Sequence, residues 1–116
     1  MSNARVAAEL AGRRAEDVAA LLLAIKGYRI LARRFQAPGG EIDIAARRGG
    51  LLVFVEVKAR ASVDDAVLAV GRRARRRIEA AGRSFLAKRP HLARLDIRYD
   101  IIAVRGWRPT HVRDAW

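Results

Sequence analysis

Two charged residues close an apolar stretch in which charge is least expected. Glu56 and Lys58 stand at the end of the run that begins at Leu51 and is otherwise aliphatic or aromatic. Such a run predicts a buried strand, and burying a charge is costly unless the charge is paired or bound to a metal. Side chains alternate along a strand, so Glu56 and Lys58 point to the same face. A carboxylate and an ammonium placed in this way could hold a metal ion and a cation beside a phosphate.

The preceding segment supplies a second carboxylate. Residues 41–45 alternate polar and apolar side chains, which predicts a half-buried strand. Gly49-Gly50 then predicts a two-residue hairpin loop, because glycine readily adopts positive φ. With that loop, paired residues have numbers that sum to 99, so Asp43 lies opposite Glu56. Directly opposed residues share a face, with Cβ atoms about 4.5–5.5 Å apart.

Two opposed carboxylates repel each other unless something offsets the repulsion. A divalent cation would do so, and so would a proton shared by the pair, which raises one pKa. The alternative is a half-exposed hairpin in which Lys58 bridges Glu41 and Glu56 through a pair of salt bridges. Because the strand is too apolar to be wet on both sides, we favour the metal site.

The donor types narrow the metal and the reaction. The chain has no Cys and two isolated His, so Zn²⁺ is a poor candidate, whereas carboxylate oxygens favour Mg²⁺ or Mn²⁺. Such an ion would polarise a phosphate and lower the pKa of an attacking water, while Lys58 would orient that water or stabilise the developing charge. No Walker A, G-x-S-x-G or G-x-G-x-x-G motif is present. The pattern therefore indicates metal-assisted hydrolysis of a phosphodiester.

The elements around the hairpin can be predicted coarsely. Apolar residues at three- and four-residue steps predict a helix over 3–26 and an amphipathic helix over 64–88, which Gly71 interrupts or begins. Residues 28–32 and 95–104 predict further strands. This order predicts an α/β fold in which helices cover a mixed sheet that contains an antiparallel hairpin.

A further acid lies in the first predicted helix. Glu16 has small and apolar residues at the neighbouring helical positions, which places it toward another element rather than bulk water. The alternative is an exposed Glu16 paired with Arg13.

The charge balance points to a polyanionic partner. The 116 residues carry a net charge of +12, with sums of +4 over 1–40, +1 over 41–60 and +7 over 61–116. The hairpin is thus the least basic segment, with basic segments on both sides, and nucleic acid is the simplest partner. An anionic membrane surface or ribosome association would fit the same charge. A bias in coding DNA could explain 21 Arg against 3 Lys, but not the excess of bases over acids.

The arginines of the second predicted helix are candidates for phosphate contacts. No aromatic residues are interleaved with them, so we expect contacts that do not read sequence, and a merely solvated face is the alternative. The predicted nucleic-acid-binding residues are Arg72, Arg73, Arg75, Arg76 and Arg77.

Length and composition predict one domain over 1–116. The chain has no run of 18 apolar residues and no signal-peptide pattern, so we expect no membrane association and a cytoplasmic location. The absence of Cys fits a reducing compartment.

Together these motifs resemble a known family. Asp43 followed by Glu56-Val57-Lys58 is similar to the PD-(D/E)xK nuclease signature. The chain as a whole resembles the small bacterial UPF0102 (YraN) family. The segments that carry the resemblance are Gly12–Glu16, Gly40–Ile44, Phe54–Arg60, Arg98–Ile102 and His111–Trp116.

The resemblance implies a restriction-endonuclease-like core similar to that of Holliday junction resolvases. It implies that Asp43, Glu56 and Glu16 are metal ligands and that Lys58 is the catalytic lysine. The expected activity is a Mg²⁺-dependent nuclease acting on DNA, including branched DNA, for which a homodimer would suit a two-fold symmetric junction. The alternatives are an inactive nucleic-acid-binding module of nuclease fold in a repair or ribosome-linked complex, and a protein-interaction component of such a complex.

Overall fold

Five strands form one mixed sheet in the order β1-β2-β3-β4-β5. The computed structural model describes residues 2–116, and Met1, the first residue of the predicted domain, lies outside this range. Only the β3–β4 pair is parallel. The elements are α1 Asn3–Ile25, β1 Arg29–Ala37, β2 Gly40–Arg48, β3 Leu51–Ala59, α2 Val63–Ala69, α3 Arg72–Ala87, a 3₁₀ turn Pro90–Leu92, β4 Asp96–Arg105 and β5 Arg108–Val112.

The predicted fold class is confirmed. A mixed sheet contains the antiparallel β2–β3 hairpin, and helices cover both of its faces. This arrangement is consistent with a restriction-endonuclease-like core. The parallel β3–β4 pair requires a long crossover, which α2 and α3 supply.

The predicted hairpin register is confirmed as far as the ladder extends. The pairs run from Arg48–Leu51 to Ile44–Val55, and each has residue numbers that sum to 99. Gly49 adopts φ of 58°, as the tight turn requires. The ladder ends at Ile44–Val55, one residue short of Asp43.

Alternation along β3 builds a separate hydrophobic core on each face of the sheet. Leu52 and Phe54 pack in the core beneath α3, whereas Val53 and Val55 pack in the core beneath α1. All four side chains are fully buried. This double burial explains why the strand is apolar throughout until Glu56.

The helix predicted over 64–88 is two helices. The break falls at Val70 and Gly71, where Val70 caps α2 and Gly71 adopts an extended conformation before α3 begins. At the start of β2, α3 comes so close that a Cβ on Gly40 would overlap the carbonyl of Arg77. Glycine at position 40 therefore sets the distance between α3 and the hairpin. No helix within residues 2–116 is long and apolar enough to span a membrane.

Candidate functional site

The two hairpin carboxylates lie where β2 and β3 separate. Asp43 accepts a hydrogen bond from the backbone N–H of Val57 through Oδ2, at 2.8 Å. The Asp43 side chain thus takes the place that a strand carbonyl would occupy in a regular ladder. This bond holds the Asp43 carboxylate beside the Glu56 carboxyl, close enough for each group to shift the pKa of the other.

Burial makes both groups hard to ionise. Removal from water is the largest influence on Asp43 and raises its pKa, although the Val57 N–H acts in the opposite direction. Burial and then the charge of Asp43 raise the pKa of Glu56 to about 8, with Lys58 opposing them. With that pKa, Glu56 is protonated near neutral pH, which relieves its repulsion with Asp43. A divalent cation at the same place would remove the need for that proton.

Lys58 lies on the same strand and contacts the pair from one side. Its Nζ is 3.5 Å from Oε1 of Glu56, with about a quarter of the lysine side chain exposed. Within residues 2–116 it forms no ion pair with Glu41, whose side chain is exposed on β2 opposite Gln36 of β1. The double bridge from Lys58 to both glutamates is therefore not formed.

Glu16 reaches the same region from α1, but two arginines bind it. Arg33 Nη2 lies 3.0 Å from Oε1, and Arg34 Nε lies 2.9 Å from Oε2. Glu16 is buried, as its small neighbours predicted, and it pairs with these arginines rather than with Arg13. Arg34 reaches Glu16 from a left-handed backbone, with φ of 52°, which is uncommon for a residue with a Cβ.

The four predicted site residues line one cleft of about 350 Å³ between α1 and the hairpin: Glu16, Asp43, Glu56 and Lys58. The carboxyl pair also borders a second cleft of about 250 Å³ on the α3 side, where Arg77 stands. Within residues 2–116, no three acidic or histidine side chains are close enough to form a metal site by themselves. Glu16 thus shares the cleft without joining the carboxyl pair.

The donor set fits a hard divalent ion. Mg²⁺ commonly takes one or two carboxylates and fills its remaining positions with water and substrate phosphate. Asp43 and Glu56 supply two carboxylates side by side, and their raised pKa values mark unfavourable burial of negative charge that a cation would relieve. Of the acids in the cleft, these two are therefore the residues that could hold Mg²⁺ or Mn²⁺.

The arginines of α3 do not form one uniform face. Arg77 lines the cleft beside the carboxyl pair, and its side chain is exposed, as are those of Arg72, Arg73 and Arg76. Arg75 is half-buried: its Nε donates to the Val70 carbonyl at 3.0 Å, and its guanidinium lies over the ring of Trp116. Arg75 therefore serves packing in addition to charge.

Sequence reasoning missed a second polar network on β4. Asp100 is fully buried and accepts hydrogen bonds from Arg98, from the Asp114 backbone and from Nε2 of His111 at 2.7 Å. Lys26 donates to Nδ1 of His111, so the other ring nitrogen carries the proton directed at Asp100. Burial alone would raise the pKa of Asp100, but these hydrogen bonds outweigh it and lower the pKa to about 2.

His111, one of the two isolated histidines of the sequence, has an almost completely buried side chain. The sequence offered one indication of this network: Asp96 and Asp100 fall on one face of a predicted strand, and a buried acid needs hydrogen-bonding or charged partners. The network fastens β5 and the residues after it to β4.

Comparison with known proteins identifies the family. The model of "Uncharacterised protein family UPF0102" matches residues 15–104. The chain belongs to the UPF0102 family. A UPF0102 protein of Sinorhizobium medicae is 54% identical over 106 residues, covering 90% of this chain and 87% of that relative. UPF0102 protein mlr4633 of Mesorhizobium japonicum is 50% identical over 116 residues, covering 99% and 93%.

The UPF0102 match includes most of the residues that line the two clefts. Glu16, Asp43, Glu56 and Lys58 lie within the matched residues, together with all of α3. The family description names no activity, so the chemistry has to be argued from the site itself.

Proposed function

We propose that the protein is a Mg²⁺-dependent nuclease that hydrolyses phosphodiester bonds of DNA. The observation that carries the proposal is the half-buried Asp43–Glu56 carboxyl pair, with the Lys58 ammonium 3.5 Å from Glu56. A binding surface has no need of two adjacent carboxyl groups whose pKa values are both raised by partial burial, whereas a divalent ion and a phosphate would satisfy all three groups. The +12 charge supports a nucleic-acid substrate.

Each residue has a distinct part in the proposed reaction. Bound Mg²⁺ would polarise the scissile phosphate and lower the pKa of the attacking water. Asp43 and Glu56 would hold the ion, with Asp43 kept in place by the Val57 N–H. Lys58 Nζ, already positioned beside Glu56, would orient the water or stabilise the charge that develops on the phosphate. Arg77 borders the cleft and would contact the substrate backbone.

The test is cleavage of a labelled substrate panel by purified protein in Mg²⁺ and then Mn²⁺. The panel holds duplex, single strand, flap and four-way junction, because a structured substrate such as a junction is part of the proposal. Glu56→Gln and Lys58→Met keep the side-chain size but remove the charge, and we expect each to slow cleavage by about 10²–10³-fold or more. Binding measured in EDTA should change far less.

The matched control is Asp96→Asn, which removes an exposed carboxylate at the start of β4, outside both clefts. It should cleave at the wild-type rate. Cleavage that survives unchanged in Glu56→Gln or Lys58→Met would refute the assignment of the site. The mass of the complex in solution would show whether a dimer acts on the junction.

A nucleic-acid-binding module without catalysis is the second candidate. The observation that favours it is the pairing of Glu16 with Arg33 and Arg34, which leaves two rather than three carboxylates for a metal. It predicts salt-sensitive binding through the exposed α3 arginines with no cleavage in either metal. Releasing Glu16 by the double substitution Arg33→Gln and Arg34→Gln separates the two candidates, because only a nuclease can gain or lose cleavage from it.

A further inference from the structure

Several arginines lie close together at the end of the sheet where β3 and β4 terminate. Arg60 follows β3 directly, and Arg105 is the last residue of β4. The backbone N–H of Arg60 donates to the Val104 carbonyl at 3.2 Å, so parallel pairing holds the two strand ends side by side. Neighbouring strands lie about 4.8 Å apart, which brings the two arginines together.

A third arginine, Arg108 of β5, lies at the same end of the sheet. Arg105 and Arg108 are direct partners across the β4–β5 hairpin. Like charges directly opposite each other destabilise an antiparallel pair. Together with Arg60 and Thr110 they line one concave pocket of about 340 Å³, which we call the edge pocket. An anion in the edge pocket would remove the repulsion.

These arginines have no acidic partner. Across residues 2–116, none of the ion pairs involves Arg60, Arg105 or Arg108. Asp64 and Asp65 of α2, four and five residues after Arg60, are exposed and do not line the edge pocket. The charge is therefore left for a ligand from outside the chain.

A fourth arginine, Arg14 of α1, approaches the same end of the sheet from the opposite face. Arg14 lines a smaller cleft of about 220 Å³ with Arg60 and Arg105. Its guanidinium lies over the Trp107 ring, and its buried Nε has no hydrogen-bond partner in the described chain. The indole helps to hold Arg14 in place. The basic surface at this end of the sheet therefore continues from one face of the sheet to the other.

We infer that the edge pocket binds a backbone phosphate of the nucleic-acid strand that also reaches the candidate site. The inference rests on the proposed function for the identity of the ligand. Several guanidinium groups around one concavity suit an anion with several acceptor oxygens, and the phosphodiester is such an anion. The contact would set the position of the strand without reading its sequence.

The position of the edge pocket fits a continuous strand. Arg60 follows β3 two residues after Lys58, which places its backbone roughly 6.6 Å farther along the extended chain. Successive phosphates of one DNA strand rise by about 3.4 Å along the helix axis, so two places this close are within reach of phosphates one or two apart. One strand can therefore occupy the edge pocket and the candidate site together.

The test compares two double variants that change the charge equally. The edge variant, Arg105→Gln with Arg108→Gln, alters the edge pocket. The control variant, Arg29→Gln with Arg94→Gln, alters two exposed arginines at the other end of the sheet, where β1 and β4 begin. Binding of fluorescein-labelled duplex and junction DNA is measured in EDTA over a range of salt concentrations. The edge variant should bind at least about tenfold more weakly at low salt than the control variant. Its slope of log K against log salt should fall by about 0.9 for each lost phosphate contact.

Equal affinity and equal slope in the two double variants would overturn the inference, even if the wild-type protein cleaves DNA. A clear difference between them in a protein that cleaves nothing would support the edge pocket and count against the nuclease. A wild-type protein with no affinity for either DNA at low salt would overturn both. Thermal midpoints of the wild type and the two double variants verify that the variants are folded.

Discussion

Replacing Glu56 by Gln should abolish a specific pH dependence of stability in the metal-free protein. The folded state raises the pKa of Glu56 from an ordinary value of 4.5 to about 8. Between these two values the folded protein binds more protons than the unfolded chain, so its stability is complete at low pH and falls as the pH rises. Asp43, whose pKa is also raised, acts in the same direction.

The magnitude follows from the same values. Each pH unit in the interval lowers the free energy of unfolding by up to about 1.4 kcal/mol, a ceiling of about 5 kcal/mol in all. Because the cleft is open to water at its mouth, relaxation should reduce the effect to about 2 kcal/mol. For a chain of this length that corresponds to a decrease of roughly 8 °C in thermal midpoint.

The assay is thermal unfolding followed by circular dichroism in EDTA, between pH 5 and pH 8.5. We expect the wild-type midpoint to fall across this range and that of Glu56→Gln to remain nearly level. Glu41→Gln, which alters an exposed carboxylate on β2, should follow the wild type. Adding Mg²⁺ at pH 8 should raise the wild-type midpoint and leave Glu56→Gln unchanged. A level wild-type curve, or a Glu56→Gln curve with the wild-type slope, would refute the account of the carboxyl pair.

Two further substitutions test the packing around the site. Gly40→Ala directs a methyl group at the Arg77 carbonyl and should lower the free energy of unfolding, measured in urea, by about 2 kcal/mol or more. The control Gly50→Ala, with open space around its Cβ, should change that free energy by less than about 1 kcal/mol. Equal urea midpoints for the two variants would contradict the close approach of α3. Asp100→Asn leaves Arg98 without its buried charged partner and should cost about 3 kcal/mol at pH 7. Because the pKa of Asp100 is lowered to about 2, the wild type should lose about 2 kcal/mol as the pH falls from about 4 to 2, and an equal acid transition in Asp100→Asn would contradict that origin.

The hairpin register could be predicted because local chemistry determines it. Gly49-Gly50 permits a tight turn, and the apolar alternation leaves one choice of which side chains face inward. The register correctly places Asp43 beside Glu56, although the ladder ends one pair earlier. Beyond that point, a hydrogen bond from the Val57 N–H to the Asp43 side chain takes the place of backbone pairing. That replacement depends on the two strands diverging, which no local pattern encodes.

Features that depend on distant partners could not be predicted. Arg33 and Arg34 both reach Glu16 because Arg34 adopts positive φ, which its residue type disfavours. Strand β5 is short and contains Pro109, so its alternation is too weak to identify. The burial of His111 follows from its pairing with Asp100, eleven residues earlier on another strand.

The parallel pairing of β3 with β4 has a kinetic consequence. The β2–β3 hairpin brings together residues that are close in sequence, whereas Leu51 and its partner Asp96 are about 45 residues apart. Closing a loop of that length costs about 3 kcal/mol of chain entropy before the contact is formed. We expect the hairpin to order first and the docking of β4 to limit the folding rate. The two carboxylates would then meet while their surroundings are still wet, and docking of β4 would complete the burial that raises their pKa values.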